Sequence, residues 1–236
     1  MNYTKESPLL EQTAFRTITM ESATLSVKYN QSTYKQTTTH TNYLIIKRWM
    51  DITISLIILA VTLPFFIFLI IVIGLTNPGA IFYKQVRIGK DYKSFTMYKF
   101  RTMIVNAENG IPVCAEKNDP RITRLGKWLR KTHADELPNL INVIKGDMSL
   151  IGPRPERQFF IERITINAPE FLHLLTIKPG VTSWGQIKYG YARNVPEMIQ
   201  RMHYDLPYVQ NTSFKTDISI LFQTFLLILN VKSQNT

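Results

Sequence analysis

The sequence contains one cysteine, Cys114. A single thiol cannot close an intramolecular disulfide and offers no Cys cluster to a metal, which suits a reducing compartment. Cys114 itself reads as structural or incidental. Acid is also scarce: 17 Asp and Glu stand against 28 Lys and Arg, for a formal charge of +11 and a pI near 9.7. That imbalance implies an anionic partner, and nucleic acid, anionic lipid and phosphorylated substrates all qualify. Residues 1–42 lack any sustained apolar period and are rich in Thr, Ser, Gln, Asn and Tyr. They read as a mostly disordered tail, and, with no apolar core after the basic residues and no small-residue cleavage site, not as a signal peptide.

The last absence is charge between residues 52 and 75, a run of 24 interrupted only by Thr53, Ser55, Thr62, Pro64 and Gly74. As a straight helix it is about 36 Å long against a hydrocarbon core of about 30 Å, so membrane heads the partner list. Lys47, Arg48, Trp49 and Asp51 form its entry, with Asp51 expected to pair with Arg48. Pro64 divides the run into halves of about 18 Å and removes a helix-interior hydrogen bond. Both flanks are basic: Lys47 and Arg48 before, and Lys84, Arg87, Lys90, Lys93, Lys99 and Arg101 after. A spanning helix favours positive charge on one side only. A proline-broken helix that re-enters on the cytoplasmic face satisfies both features, and a kinked spanning helix is the alternative. On the residues alone both stay open.

The stretch from residue 77 to the end is long enough for one catalytic domain, mostly α with a small β-hairpin. Asn77-Pro78-Gly79 is a turn, alternation over residues 80–86 reads as a strand, and residues 87–91 turn back into a second strand over residues 94–101. Lys84, Lys99 and Arg101 on this hairpin are either a lipid-facing patch or the lining of a phosphate site. Residues 106–119 read as a loop. Helices are expected over 121–131, 156–166, 171–177 and 197–208, and residues 214–229 suit an amphipathic helix lying in the membrane interface. Residues 178–186 form a turn and then a loop or strand, with Trp184 as a packing residue.

The chemistry centres on Asp135-Glu136-Leu137-Pro138 and on the stretch from Lys145 to Pro155. Two adjacent carboxylates can bind one hard cation and leave an oxygen free to attack. Adjacent acids arise easily by chance, so the neighbours decide: Arg124, Lys127, Arg130 and Lys131 lie before them, and Lys145, Arg154 and Arg157 after, as around a phosphorylated substrate. Asp135 also has a plain reading, as N-cap of the helix running toward Val143. The two are compatible, since a helix N-terminus favours the ionised carboxylate.

Taken in order, these pieces resemble the bacterial sugar transferases, the monotopic polyprenol-phosphate phosphoglycosyl transferases. They are Lys47-Arg48-x-x-Asp51 before the broken apolar run, Tyr98-Lys99-Phe100-Arg101-Thr102-Met103, Asp135-Glu136-Leu137-Pro138, Lys145-Gly146-Asp147-Met148-Ser149-Leu150, Gly152-Pro153-Arg154-Pro155, and Lys178-Pro179-Gly180-Val181-Thr182. The resemblance runs from Lys47 to Leu229. It implies a transfer of sugar-1-phosphate from a UDP-sugar to undecaprenyl phosphate with release of UMP, at the cytoplasmic face of the bacterial inner membrane. It favours the re-entrant helix, and with it a division into a tail (1–44), a re-entrant membrane helix (45–76) and a cytoplasmic catalytic domain with interfacial helices (77–236). Asp135 matches the family nucleophile and Glu136 a magnesium ligand, with Mg2+ shared by the dyad. Lys99, Arg101 and Arg130 correspond to basic residues near the phosphates, and Pro153, Arg154 and Pro155 to the motif that contacts the nucleotide. The sequence departs from the pattern in three places. Leu63-Pro64 stands where Ser-Pro is frequent, His133 where Ser is, and the loop over residues 184–194 is long, with consequences for sugar preference. The sugar, the pathway and any homo-oligomer are not legible. Nucleic acid is not expected, because Tyr83, Tyr98 and Phe100 are better explained as strand neighbours than as stacking platforms. The competing function is a non-catalytic membrane anchor that binds anionic lipid or nucleic acid through its basic face.

Overall fold

The structure is a computed structural model that describes residues 39–77, 79–108, 112–116 and 118–229. The disorder expected of residues 1–38 lies outside the described residues. Helix α1 (Thr39–Thr76) begins inside the stretch assigned to the tail and continues through Pro64 as one helix. Among the described residues it is the helix long and apolar enough to cross a membrane.

Both halves of α1 are tied to the rest of the chain. In the first half, Lys47 donates to Asp217 at 2.5 Å, Tyr43 donates to the same carboxylate, and the Asp51 carboxylate accepts the Leu150 N–H at 3.1 Å. Arg48 does not pair with Asp51 as the sequence suggested. It donates instead to the carbonyls of Val143 and Ile144, because the last turn of a neighbouring helix presents two carbonyls with acceptor capacity to spare. In the second half, Leu69 and Ile73 are fully buried against Phe100, Leu129 and Ala134, and Phe66 packs on Phe100 with ring centroids 4.9 Å apart.

Strands β1 (Phe82–Ile88) and β2 (Ser94–Phe100) form an antiparallel hairpin in which Tyr83 faces Lys99. Helix α2 (Arg124–Lys131) comes next, capped by the Thr123 hydroxyl, which accepts the Gly126 N–H. Gly126 is dictated by contact: a Cβ there would stand 2.0 Å from the Thr102 carbonyl oxygen. A single 3-10 turn over Ala134–Glu136 leads into α3 (Asn139–Lys145). Asn142, fully buried on α3, stitches that helix to the hairpin: its amide donates to Thr96 O at 2.7 Å and its carbonyl accepts the Tyr98 N–H at 3.2 Å.

Beyond α3 the chain forms β3 (Ser149–Ile151), α4 (Gln158–Asn167), a 3-10 segment (Pro169–Thr176), β4 (Gly180–Thr182), α5 (Trp184–Lys188), α6 (Val195–Gln210) and α7 (Phe214–Leu229). The chain is mostly helical with a small antiparallel hairpin, as its patterning suggested. The sequence did not reveal that β3 and β4 pair in parallel, Ser149 beside Gly180. It also read residues 171–177 as a helix where 3-10 turns form, and of residues 178–186, read as a turn and then loop or strand, β4 meets the reading while the end from Trp184 opens α5. Trp184 packs against the core around Leu150, Ile151 and Tyr208, as a packing residue should. Helix α7 buries Asp217 and Ile220 and leaves Phe214, Ile218, Phe222 and Phe225 exposed.

Candidate functional site

The dyad sits in a turn, not at a helix cap. His133 adopts a left-handed backbone, φ 56°, which swings the chain so that Ala134, Asp135 and Glu136 turn inward and are all buried. Helix α3 starts only at Asn139, with Pro138 in the capping position and no side-chain cap. The N-cap reading of Asp135 therefore fails: its side chain is committed to the interior.

The two carboxylates have opposite surroundings. Glu136 Oε1 accepts Lys99 Nζ at 2.5 Å and the Arg154 guanidinium at 3.3 and 3.2 Å. Burial alone would raise the Glu136 pKa, but Lys99 and Arg154 outweigh it and hold the carboxyl below its ordinary range. Asp135 has a buried Oδ1 with no hydrogen-bond partner. Burial pushes its carboxyl up to about 6, only partly offset by Lys99, while the neighbouring Glu136 charge adds to the rise. The expected help from a helix terminus is absent and the shift runs upward, because desolvation is the larger effect here, yet a carboxyl at about 6 is still mostly ionised near neutral pH. An unpartnered buried carboxylate oxygen is costly, and such atoms concentrate where a ligand supplies the partner.

The remaining predicted residues divide. Lys99 reaches the dyad because it is paired with Tyr83 near the end of β2, and Asn142 fixes β2 against α3. Arg130, on the last turn of α2, donates Nε to the Thr102 hydroxyl at 2.8 Å and lies close enough to Asp135 to lower its pKa. Arg154 is held from both sides: the Pro153 carbonyl accepts the Gly180 N–H at 2.9 Å, and the Pro155 carbonyl accepts Arg87 Nη1 at 3.0 Å. Next to it Glu156 is buried between Arg87 and Arg201, to both of which it is salt-bridged. Pro153, Arg154 and Pro155 also line a recess with Ile88, Phe171 and Leu174. Arg101 is the exception. Its guanidinium bonds the Asn77 carbonyl in the turn after α1 and packs against Gly79, away from the dyad.

Two groups near the dyad had no role predicted from sequence. Tyr191, in the long loop after α5, stacks on His133 with ring centroids 6.2 Å apart, its hydroxyl 3.3 Å from His133 Nδ1. Arg154 lies over the same ring at 5.9 Å. The unusual His before the dyad and the lengthened loop were each visible as departures, but nothing in the sequence said that they meet. Asn139, one helical turn past Asp135, also buries a side-chain oxygen without a partner. Cys114 is partly buried, and burial raises its thiol pKa, so it is not an activated nucleophile.

A divalent cation fits this donor set. Among the described residues no group of three or more His, Cys, Asp or Glu side chains forms a metal cage. Magnesium, however, is ordinarily held by one or two carboxylates plus substrate phosphates. The unpartnered Asp135 oxygen and the adjacent Glu136 meet that requirement.

Residues 42–231 match the family model described as bacterial sugar transferase. Three curated relatives are similar over most of the chain. The UDP-N-acetylgalactosamine-undecaprenyl-phosphate N-acetylgalactosaminephosphotransferase of Aeromonas hydrophila is 38% identical over 79% of this chain and 44% of its own length. The UDP-glucose:undecaprenyl-phosphate glucose-1-phosphate transferase of Escherichia coli is 35% identical over 76% of this chain and 39% of its own. The undecaprenyl-phosphate galactose phosphotransferase of Salmonella typhimurium is 38% identical over 78% of this chain and 40% of its own. The chain thus spans less than half the length of these relatives, yet the matched part contains the whole buried site, and with the family model covering that same part the chain belongs to the bacterial sugar transferase family.

Proposed function

We propose that the protein transfers a sugar-1-phosphate from a UDP-sugar to undecaprenyl phosphate through a covalent intermediate on Asp135. The observation that carries this is the Asp135 carboxylate, buried with a free oxygen, beside a Glu136 already engaged by Lys99 and Arg154. In the first step an Asp135 oxygen attacks the β-phosphorus, the bond from that phosphorus to the bridging oxygen breaks, and UMP leaves with the electron pair. In the second an oxygen of undecaprenyl phosphate attacks the aspartyl phosphorus, restoring the Asp135 carboxylate and leaving the sugar on a lipid diphosphate. Lys99, Arg130 and Arg154 supply positive charge to the diphosphate, and the Arg154 fork can hold two phosphate oxygens at once. A magnesium ion held by Asp135 and Glu136 would spread the negative charge that builds on the phosphates. Burial of the dyad keeps water from competing for the acyl phosphate.

The same reading places the domain at the cytoplasmic face of the inner membrane, with α1 entering and returning from one side. Support comes from contact: the first half of α1 bonds α7, α3 and β3, and the second half packs on β2 and α2, so both ends meet one domain. The exposed apolar stripe of α7 suits a helix resting in the interface. Labelling Ile45→Cys and Ala80→Cys in a Cys114→Ser background tests the topology; reaction from opposite sides of the membrane would rule out re-entry. The transferase reading is tested by UMP release with undecaprenyl phosphate, Mg2+ and a panel of UDP-glucose, UDP-galactose and the N-acetylhexosamine forms. Release with one or more of these is expected. No release with any would favour a non-catalytic anchor.

A further inference from the structure

A second group of cations gathers at the end of α3 opposite the dyad. The helix closes at Gly146, whose φ of 97° is left-handed. Two cations from distant parts of the chain converge there: where a Cβ would stand, Arg48 Nη2 is 3.4 Å away and Lys178 Nζ 3.5 Å. Arg48 is anchored by the carbonyls of Val143 and Ile144, where the helix dipole favours a cation. Lys178, in the turn before β4, forms no salt bridge among the described residues. Its pKa is lowered first by burial, then by Arg48 and more weakly by Lys90, with Asp51 and Asp147 opposing. The acids within reach are Asp51 and Asp147, and both are engaged elsewhere: Asp51 accepts the Leu150 N–H at 3.1 Å and Asp147 the Asn142 amide at 3.2 Å. Arg48 and Lys178 converge here with Lys90 in electrostatic reach, and three cations against these two acids leave one positive charge in excess, which an incoming anion would match.

The location says which anion. Arg48 is flanked on α1 by Ile45, Ile46 and Trp49, which are 58%, 54% and 67% exposed and begin the outward apolar face of that helix. A tryptophan at the edge of such a face marks headgroup depth. The seven residues of α3 separate this place from the dyad by about 10 Å of helix. We propose that Arg48, Lys178 and Lys90 form a site for the phosphodiester of an anionic phospholipid, distinct from the reacting centre. The proposal rests on the membrane reading of α1 and not on the transfer reaction.

The test uses the full chain in zwitterionic detergent micelles, titrated with dioctanoyl phosphatidylglycerol, dioctanoyl phosphatidylcholine or sodium phosphate, with the melting midpoint and native mass as readouts. Saturable binding of phosphatidylglycerol is expected, with phosphatidylcholine inert. Each basic residue near an anionic lipid is worth a factor of about five, so Lys90→Gln with Lys178→Gln should weaken binding about thirtyfold. Lys178→Arg should retain it. If the double variant melts early without lipid, Lys90→Gln alone, on an exposed turn, carries the test with a loss of about fivefold. Equal affinity in the variants, or equal binding of phosphatidylcholine, overturns the site. Inorganic phosphate binding as tightly as phosphatidylglycerol overturns its assignment to lipid. UMP release is measured in parallel: competition between phosphatidylglycerol and undecaprenyl phosphate would make this the acceptor's place and overturn the proposal, while absence of UMP leaves the lipid isotherm to stand alone.

Discussion

At the scale of single residues, the site depends on how one carboxylate is spent and its neighbour spared. Glu136→Gln removes the charge that Lys99 and Arg154 share and leaves two buried cations without a counter-ion. Breaking a buried pair on one side is more damaging than never having formed it. We expect a lower melting midpoint, a hundredfold or greater loss of UMP release on the order seen when an electrostatic group is removed from a reacting centre, and a higher magnesium requirement. Thermal melting and a magnesium titration check this; an unchanged midpoint would mean that the pairing to Lys99 and Arg154 carries no weight. The residues of the dyad were legible in the sequence because adjacency survives any fold. Their partners were legible only as basic. Alternation along a strand puts Lys99 and Arg101 on one face, but β2 ends at Phe100, so Arg101 leaves the strand and turns to the carbonyl of Asn77. The plain N-cap reading of Asp135 failed for a similarly local reason, the left-handed backbone at His133, which sequence did not announce.

At the scale of elements, α2 and α6 show how close approach sets the geometry. The N-terminal turn of α2 lies on the backbone of Thr102, and Arg130 at its other end reaches the Thr102 hydroxyl. Gly126→Ala would force the two segments apart. Overpacking of this kind costs about 1–3 kcal/mol, so a reduced denaturant midpoint and, through the shift of Arg130, a raised KM for the UDP-sugar are expected; a midpoint within error of wild type would contradict the contact. Helices α5 and α6 are joined by Asp205, which accepts the Gly185 N–H at 2.8 Å and the Ser183 hydroxyl at 3.2 Å. Burial pushes the Asp205 carboxyl up to about 6 from an ordinary value of 3.8, beyond what those hydrogen bonds and Arg201 offset. The folded chain therefore holds this proton more tightly than the unfolded chain. The associated stability is fully present below about pH 4 and is lost as pH rises toward 6. Melting from pH 4 to 7 should show wild type losing stability relative to Asp205→Asn across that window, and a constant difference would refute the assignment. The long helices were legible from their apolar periods. The parallel contact of β3 and β4 was not, since two three-residue strands carry no period to read.

At the scale of the whole molecule, a helix composed to cross a membrane is tied at both halves to one domain. Sequence left the spanning and re-entrant readings open because hydropathy and Pro64 suit either; the ties from Lys47 to Asp217 and from Ile73 to the core around Phe100 are what favour re-entry. Pro64→Leu should strengthen the straight helix and move part of the population to opposite-side labelling at positions 45 and 80. Labelling identical to the wild type would show that these contacts, not the proline, hold the topology. The central claim remains that the buried free oxygen of Asp135 becomes covalently bonded to phosphorus. Intact mass after incubation with a UDP-sugar and Mg2+, without the lipid acceptor, tests it most directly. The wild type should gain the mass of one hexose phosphate or N-acetylhexosamine phosphate with one equivalent of UMP, and Asp135→Asn, which cannot ionise, should gain nothing. An adduct of the same size on the Asp135→Asn protein, or full turnover without any adduct on the wild type, would contradict the account.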